Sequence, residues 1–319
     1  EANYKKVEID LIFKVEKAYY NVLKAEKICA VGKEAVEQLL AHLKVAENFY
    51  RAGMVPKMDL LKAQVQLADT EQKLVEAKNR LELARISFNN LLNRDLSAPV
   101  ELVDISSYTP TYLRGAHSPG GSASPGLRRG GLEDSIEKAF SLRPELRAQE
   151  INLKIAKEDL RIAKSEYLPT ISLITNYDHE KGSEIPIDKW HNSWNAVIAF
   201  ELNIWNWGRT KEKVKQAKSV INQSQDSLFL LKNRIESEIR NAFLNLQSAE
   251  KRILVTEKAV DQSKEGLRMT GLRFKEGMAT STDVLDATTL RSQAETNYYQ
   301  ALYDCYLAEA ALKRAMGEK

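Results

Sequence analysis

Asp283 and Asp286 stand three residues apart in the stretch RFKEGMATSTDVLDATTL (273–290), so on a helix both carboxylates face one side. The stretch reads as a helix end, a sharp turn at Gly277-Met278 and a new helix. In that setting Ser281 or Thr282 can cap the helix and Asp283 lies at the positive end of its dipole. A near-copy, FYRAGMVPKMDLLKAQV (49–65), carries Gly53-Met54 and then Asp59, again six residues after its Gly, with Pro56 early in the next helix. The position matching Asp286 is Lys62. What these carboxylates offer is fixed charge. No G-x-S-x-G, P-loop, H-E-x-x-H or Cys/His cluster accompanies them, and the other acidic residues lie at helical spacing opposite Lys and Arg, as on solvated faces. Neither an enzyme, a bound metal nor a cofactor is expected.

The totals agree with a long, regular, structural chain. Of 319 residues, 43% are hydrophobic and 29% charged, which suits an ordered protein. Net charge is +3, from 47 basic and 44 acidic residues mixed along the chain, and this leaves no footprint for nucleic acid. Cys29 and Cys305 fall inside predicted helices and read as buried thiols. His42, His117, His179 and His191 show no ligand spacing. No apolar run approaches the ~20 residues of a membrane-spanning helix.

The two turns belong to a larger repetition. Shifting the chain by the Gly53-to-Gly277 interval aligns AYYNVLKAEKICAVGKEAV (18–36) with AFLNLQSAEKRILVTEKAV (242–260), with no gap. Asp59 then meets Asp283, Leu61 meets Leu285 and Ala77 meets Ala301. A tandem duplication is the reading. The first repeat covers 1–95: a long helix, a turn at 53–58 and a second long helix. A Gly/Pro/Ser-rich flexible connector covers 96–131. The second repeat covers 132–319: a helix at 132–167, a β-hairpin at 168–206, a long helix at 208–275, a turn at 276–281 and a helix at 282–317. The opening part of copy two has a counterpart expected about 90 residues before Glu1.

The helices carry coiled-coil seams. Ile221, Leu228, Leu231, Ile235, Ile239, Ala242, Leu246, Ala249, Ile253 and Val260 follow steps of three, four and seven, in a helix about 100 Å long. Leu60, Leu67, Leu74, Leu81 and Phe88 recur every seven residues, with Ala63, Ala77 and Ala84 between them. Such pairs point either to packing in a larger ring or to an ordinary long rod. The hairpin is different in kind. Ile171 and Leu173 on one strand, and Ile198, Phe200, Leu202 and Ile204 on the other, alternate with more polar residues. That alternation suits a membrane β-strand or a small soluble sheet packed on the helices. All four tryptophans, Trp190, Trp194, Trp205 and Trp207, lie within or beside it, and tryptophan favours membrane–water boundaries.

Taken in order, the YLPTISL and FELNIWNWGR strands, the long helix, RFKEGMATSTDVLDATTL and YYQALYDCYLAEAALKRAMG resemble the TolC-type outer membrane efflux proteins. The resemblance runs along the chain outside the connector. It implies a mostly α fold: very long coiled-coil helices in a periplasmic α-barrel, a β-hairpin contributing to an outer membrane β-barrel, and assembly as a homotrimer. It further implies a passive conduit for multidrug export or type I secretion, joined to a periplasmic adaptor and an inner-membrane pump that supplies the energy. The two turns would form the periplasmic tip. Ala52, Gly53, Met54, Glu276, Gly277 and Met278 would meet the adaptor, and Asp283, Asp286 and Asp59 would gate the tunnel entrance as rings of like charge. The four tryptophans would mark the lipid interface. Two features depart from the family: Ala279 stands where members can carry a closing Arg, and one hairpin would give six strands per trimer rather than twelve. The alternative is a soluble periplasmic coiled-coil adaptor or other structural interaction protein.

Overall fold

The computed structural model describes residues 2–103, 129–181 and 190–318. Among these described residues six helices and one hairpin follow in order: α1 (Ala2–Arg51), α2 (Lys57–Leu91), α3 (Arg129–Leu142), α4 (Pro144–Ser165), β1 (Thr170–Lys181), β2 (Trp190–Glu201), α5 (Arg209–Lys275) and α6 (Ser281–Met316). The chain divides into two compact units, Glu1–Pro144 with Arg234–Lys319, and Glu145–Asn233.

In the first unit the α5 seam from Ile235 onward lies in the core, whereas its earlier positions Ile221, Leu228 and Leu231, in the second unit, are half-buried. Ile235, Ile239, Ala242, Leu246, Ala249, Ile253 and Val260 of α5 are all buried. Leu246, Ala249 and Ile253 join Leu23 of α1 and Leu302, Tyr303, Cys305 and Tyr306 of α6 in one apolar cluster. Cys29 and Cys305 are both buried and neither forms a disulfide. On α2, Ala63, Ala77 and Phe88 are buried, while the heptad leucines Leu60, Leu67, Leu74 and Leu81 are half-buried. Small residues thus occupy the tightest part of the seam. Gly32 of α1 completes it, since a Cβ there would stand 3.3 Å from Leu74 Cδ1.

Several boundaries differ from the sequence reading. The helix expected over 132–167 is two helices, separated at Arg143. Pro144 is the first residue of α4, and a residue before proline is steered out of helical geometry. Arg143 turns inward there: its Nε donates to the Ala315 carbonyl at 2.7 Å and its Nη2 to Glu238 at 2.8 Å. The connector assigned to 96–131 also begins in ordered structure. Fully buried Asn89 donates its side-chain amide to the carbonyls of Leu96 and Ala98, at 3.2 and 2.9 Å, and brings Val100 against Val22 and Phe88. Helix α3 already starts at Arg129, and 104–128 lie outside the described residues.

The second unit contains α4, the hairpin and the start of α5. β1 and β2 pair antiparallel from Thr170 with Glu201 to Lys181 with Trp190. The register sets Ile171 opposite Phe200, Leu173 opposite Ile198 and Tyr177 opposite Trp194 on one face. The other face pairs Ser172 with Ala199, Asn176 with Asn195 and Asp178 with Ser193. The second strand ends at Glu201, so Leu202, Ile204 and Trp205 follow the sheet rather than extend it. Among the described residues no helix is long and apolar enough to cross a membrane.

Candidate functional site

Both turns close their helix with the same backbone. In the first, the Gly53 N–H donates to Tyr50 O at 2.9 Å and the Met54 N–H to Phe49 O at 2.8 Å. In the second, the Gly277 N–H donates to Phe274 O at 3.1 Å and the Met278 N–H to Arg273 O at 2.8 Å. This is the Schellman arrangement. It needs a left-handed residue, and the two glycines supply it at φ 73° and 74°. An apolar residue following the glycine usually folds back onto the helix it ends. Here Met54 and Met278 are instead 67% and 60% exposed. Ala52, Gly53, Glu276 and Gly277 are exposed beside them. The six residues expected to contact an adaptor therefore form two exposed turns with one shape.

The helices that leave the turns start differently. Helix α6 begins with a reciprocal cap: Thr280 N–H donates to Asp283 Oδ2 at 2.7 Å, and Asp283 N–H donates back to Thr280 Oγ1 at 3.2 Å. The cap is thus Thr280, one residue before the Ser281 or Thr282 expected from sequence, because Thr280 alone stands three residues ahead of an acceptor. The Thr-x-x-Asp spacing was the signal that could have found it. Helix α2 has Pro56 itself at the cap position, with no side-chain bond, and starts at Lys57. Pro56 accordingly precedes the helix in which the sequence reading set it.

The turns are held together within the first unit. Phe49 of α1 lies 5.4 Å from Phe274 of α5, centroid to centroid, and the His42 ring lies 5.1 Å from the same Phe274. His42 Nε2 is 2.8 Å from Ser281 Oγ at the start of α6. Leu39, Ala63 and Leu285 form a small apolar cluster joining α1, α2 and α6, and Lys62 Nζ approaches Thr282 Oγ1 at 3.5 Å. His42 had no role in the sequence reading. The signal for it was a polar residue between Leu39 and Ala46, at the buried spacing of a seam.

Asp283 and Asp286 are both exposed, and they line an open groove between α5 and α6 with Arg273, Thr270, Gln262 and Ala279. The two N–H and O–H bonds from Thr280 hold the Asp283 carboxyl below its ordinary range. Asp59 lies half-buried in the first turn of α2, so the structure brings the Asp283–Asp286 pair together in one groove and leaves Asp59 on a separate helix. In the second unit, Trp190 and Trp194 lie on β2, 60% and 77% exposed, and Trp205 and Trp207 beyond it, 74% and 89% exposed. Trp205 and Trp207 meet edge to face at 5.9 Å.

Comparison with known proteins adds independent findings. A family model described as outer membrane efflux protein matches residues 1–94 and 135–318. The outer membrane protein TolC of Vibrio cholerae serotype O1 is 23% identical over 321 residues, 99% of this chain and 70% of that protein. The TolC of Escherichia coli strain K12 is 22% identical over 331 residues, 99% of this chain and 63% of that protein. Among solved structures, the outer-membrane channel OprN superposes with a TM-score of 0.80 at 20% identity, covering 100% of this chain and 68% of OprN. The Campylobacter jejuni CmeC outer membrane channel superposes with a TM-score of 0.76 at 19% identity, over 99% of this chain and 64% of CmeC. The chain thus spans about two thirds of the length of these relatives, and at such identities the superpositions establish a shared fold.

Proposed function

The chain belongs to the outer membrane efflux protein family, and from that premise we propose that it is a subunit of a trimeric outer membrane channel-tunnel, most of it periplasmic, that passively exports substrates. A periplasmic adaptor and an inner-membrane pump deliver the substrates and supply the energy. The observation that carries this reading is the pair of turns: two identical Schellman ends, brought together by the Phe49–Phe274 and His42–Ser281 contacts, each presenting an exposed methionine. Flexible, polarizable methionine suits a docking surface. We read the common geometry as the product of a tandem duplication, which gives an adaptor two similar footholds per subunit.

At the entrance, three-fold symmetry turns Asp286 and Asp283 into rings of negative charge that favour cations. With Ala279 lacking a side chain that can bond, closure relies on contacts elsewhere. In the second unit, the apolar hairpin face and its tryptophans meet lipid and the neighbouring strands of other subunits, because an unpaired strand edge is not tolerated against hydrocarbon.

The decisive measurement is particle mass by light scattering, followed by conductance in planar bilayers. The expected result is a detergent-dependent particle near three times 36.1 kDa that forms cation-preferring pores. A monomer or dimer that needs no detergent and conducts nothing overturns the proposal.

A further inference from the structure

His42 joins the two turns, but the channel reading leaves the acid–base chemistry of its ring unused. It sits on the buried stripe of α1 with Leu39 and Ala46, and is only 8% exposed. Its ring packs at 54° against Phe274, the last buried residue of α5. Its Nε2 is 2.8 Å from the hydroxyl of Ser281, which is 1% exposed and is the first residue of α6. One imidazole therefore touches the end of the helix entering the second turn and the start of the helix leaving it. We propose that His42 is a proton-sensitive latch, fastening the second turn to α1 while the ring is neutral and releasing it when the ring is charged.

The physical case rests on where a charge would have to go. A protonated imidazole here would lie among apolar side chains, away from water. It would also lie at the N-terminal end of α6, where unpaired N–H groups already concentrate positive charge. The Phe274 ring offers some cation–π attraction, but a tilted phenylalanine compensates little of this cost. Charged residues on the surrounding elements include Arg268, Arg273 and Lys275 on α5, Asp283 and Asp286 on α6, Lys57, Asp59 and Lys62 on α2, and Glu37, Lys44, Glu47 and Arg51 on α1. Of these, Asp283 is committed to the Thr280 cap, and Lys62 reaches Thr282. Among the described residues the ring's hydrogen-bond partner is Ser281. Burial accordingly pushes the His42 pKa below its ordinary value of 6.5.

The direction of the effect follows from that depression. Above pH 6.5 the ring is neutral whether the turn is packed or released, so the latch holds in full. As pH falls below 6.5 the released state takes up a proton that the packed state excludes. Each pH unit then shifts the balance as much as tenfold toward release, until the depressed pKa of the packed state is reached. The other ties between α1 and α6, such as Arg291 with Glu34 and Lys24 with Asp304, involve no histidine. Acid therefore loosens the second turn and leaves the more distant ion pairs intact. The consequence for transport, that the tunnel mouth opens more readily in an acidified periplasm, rests on the channel reading; the latch itself does not.

The test is hydrogen exchange of the full chain in detergent between pH 7.5 and 5.0, corrected for intrinsic exchange and read by mass spectrometry, alongside NMR titration of the histidine rings. In the wild type, protection of the α6 amides at 284–290 is expected to fall with pH below 6.5, by up to tenfold per unit, while protection at 300–310 holds. In His42→Gln, which keeps a polar group but cannot charge, protection at 284–290 is expected to be lower at pH 7.5 and flat with pH. An unchanged wild-type profile, the same acid loss in His42→Gln, or a His42 ring titrating at or above 6.5 overturns the latch. None of these readouts needs a conducting pore. Absent conductance with a working latch discards only the channel, and a conducting pore with a flat exchange profile discards only the latch.

Discussion

At the start of α6 the Asp283 carboxylate is shared between two tasks. It accepts from both the backbone and hydroxyl of Thr280, and it faces the same groove as Asp286. A loss of charge at 283 therefore changes the helix start as well as the proposed entrance. Asp286 has no part in the cap, which makes it the cleaner probe of the proposed ring. Asp286→Asn is expected to lower cation selectivity of single channels with no change in thermal midpoint, whereas Asp283→Asn should lower both. Thr280→Ala should cost about 1 kcal/mol of stability, as the loss of a helix cap does, and leave selectivity alone. Because Asp283 is held below its ordinary pKa, the stability it contributes is present above about pH 4 and disappears as pH falls through the depressed value. Sequence reading found the two aspartates and their shared helix face. It misplaced the cap because Ser281 and Thr282 offer hydroxyls beside Thr280, and only the reciprocal bond with Asp283, three residues after Thr280, chooses among them. It passed over His42 because a single histidine has no spacing to read; the residues that give it meaning, Phe274 and Ser281, are more than 230 positions away.

At the scale of elements, the distance between helices is set by small residues. Ala63 is 2% exposed and packs with Leu39 and Leu285, and Gly32 admits Leu74 at van der Waals contact. Ala63→Leu pushes added methyl groups into a seam shared by three helices, and should cost about 1–3 kcal/mol. The half-buried Leu60 stands at the margin, so Leu60→Ala should cost less than the ~2–5 kcal/mol of a fully buried leucine. Urea unfolding of the two variants gives the ranking directly; a more stable Ala63→Leu protein would show that the seam has spare room. These seams were legible because a repeating apolar step fixes which side of a helix is buried whatever it packs against. The break at Arg143 was not. Pro144 fits the first turn of a helix as readily as it ends one, and the choice is made by the Ala315 carbonyl and Glu238, which draw the Arg143 side chain inward from distant parts of the chain. The same applies to Asn89, whose bonds to Leu96 and Ala98 order residues that composition assigns to a loop.

For the molecule as a whole, the unresolved need is a partner for the hairpin. Ile171, Leu173, Ile198 and Phe200 share one face and each is at least 65% exposed, more apolar surface than a lone two-stranded sheet keeps in water. Sequence alternation showed that face but could not say whether helices, lipid or other subunits cover it, because all three are apolar; the described contacts leave it open, and family membership makes lipid and neighbouring strands the reading. The chain itself carries a reporter for the question. Its four tryptophans all fall between positions 190 and 207, so its entire tryptophan emission comes from this region. On reconstitution into liposomes the emission should shift to the blue, and lipids brominated near the headgroup should quench it more than lipids brominated at the chain end, as expected for rings held at the interface. Soluble iodide should lose access to the same residues. Emission that stays at the wavelength of water-exposed indole, insensitive to either brominated lipid, would mean that another protein surface covers the hairpin and that the apolar face is a docking site rather than a barrel wall.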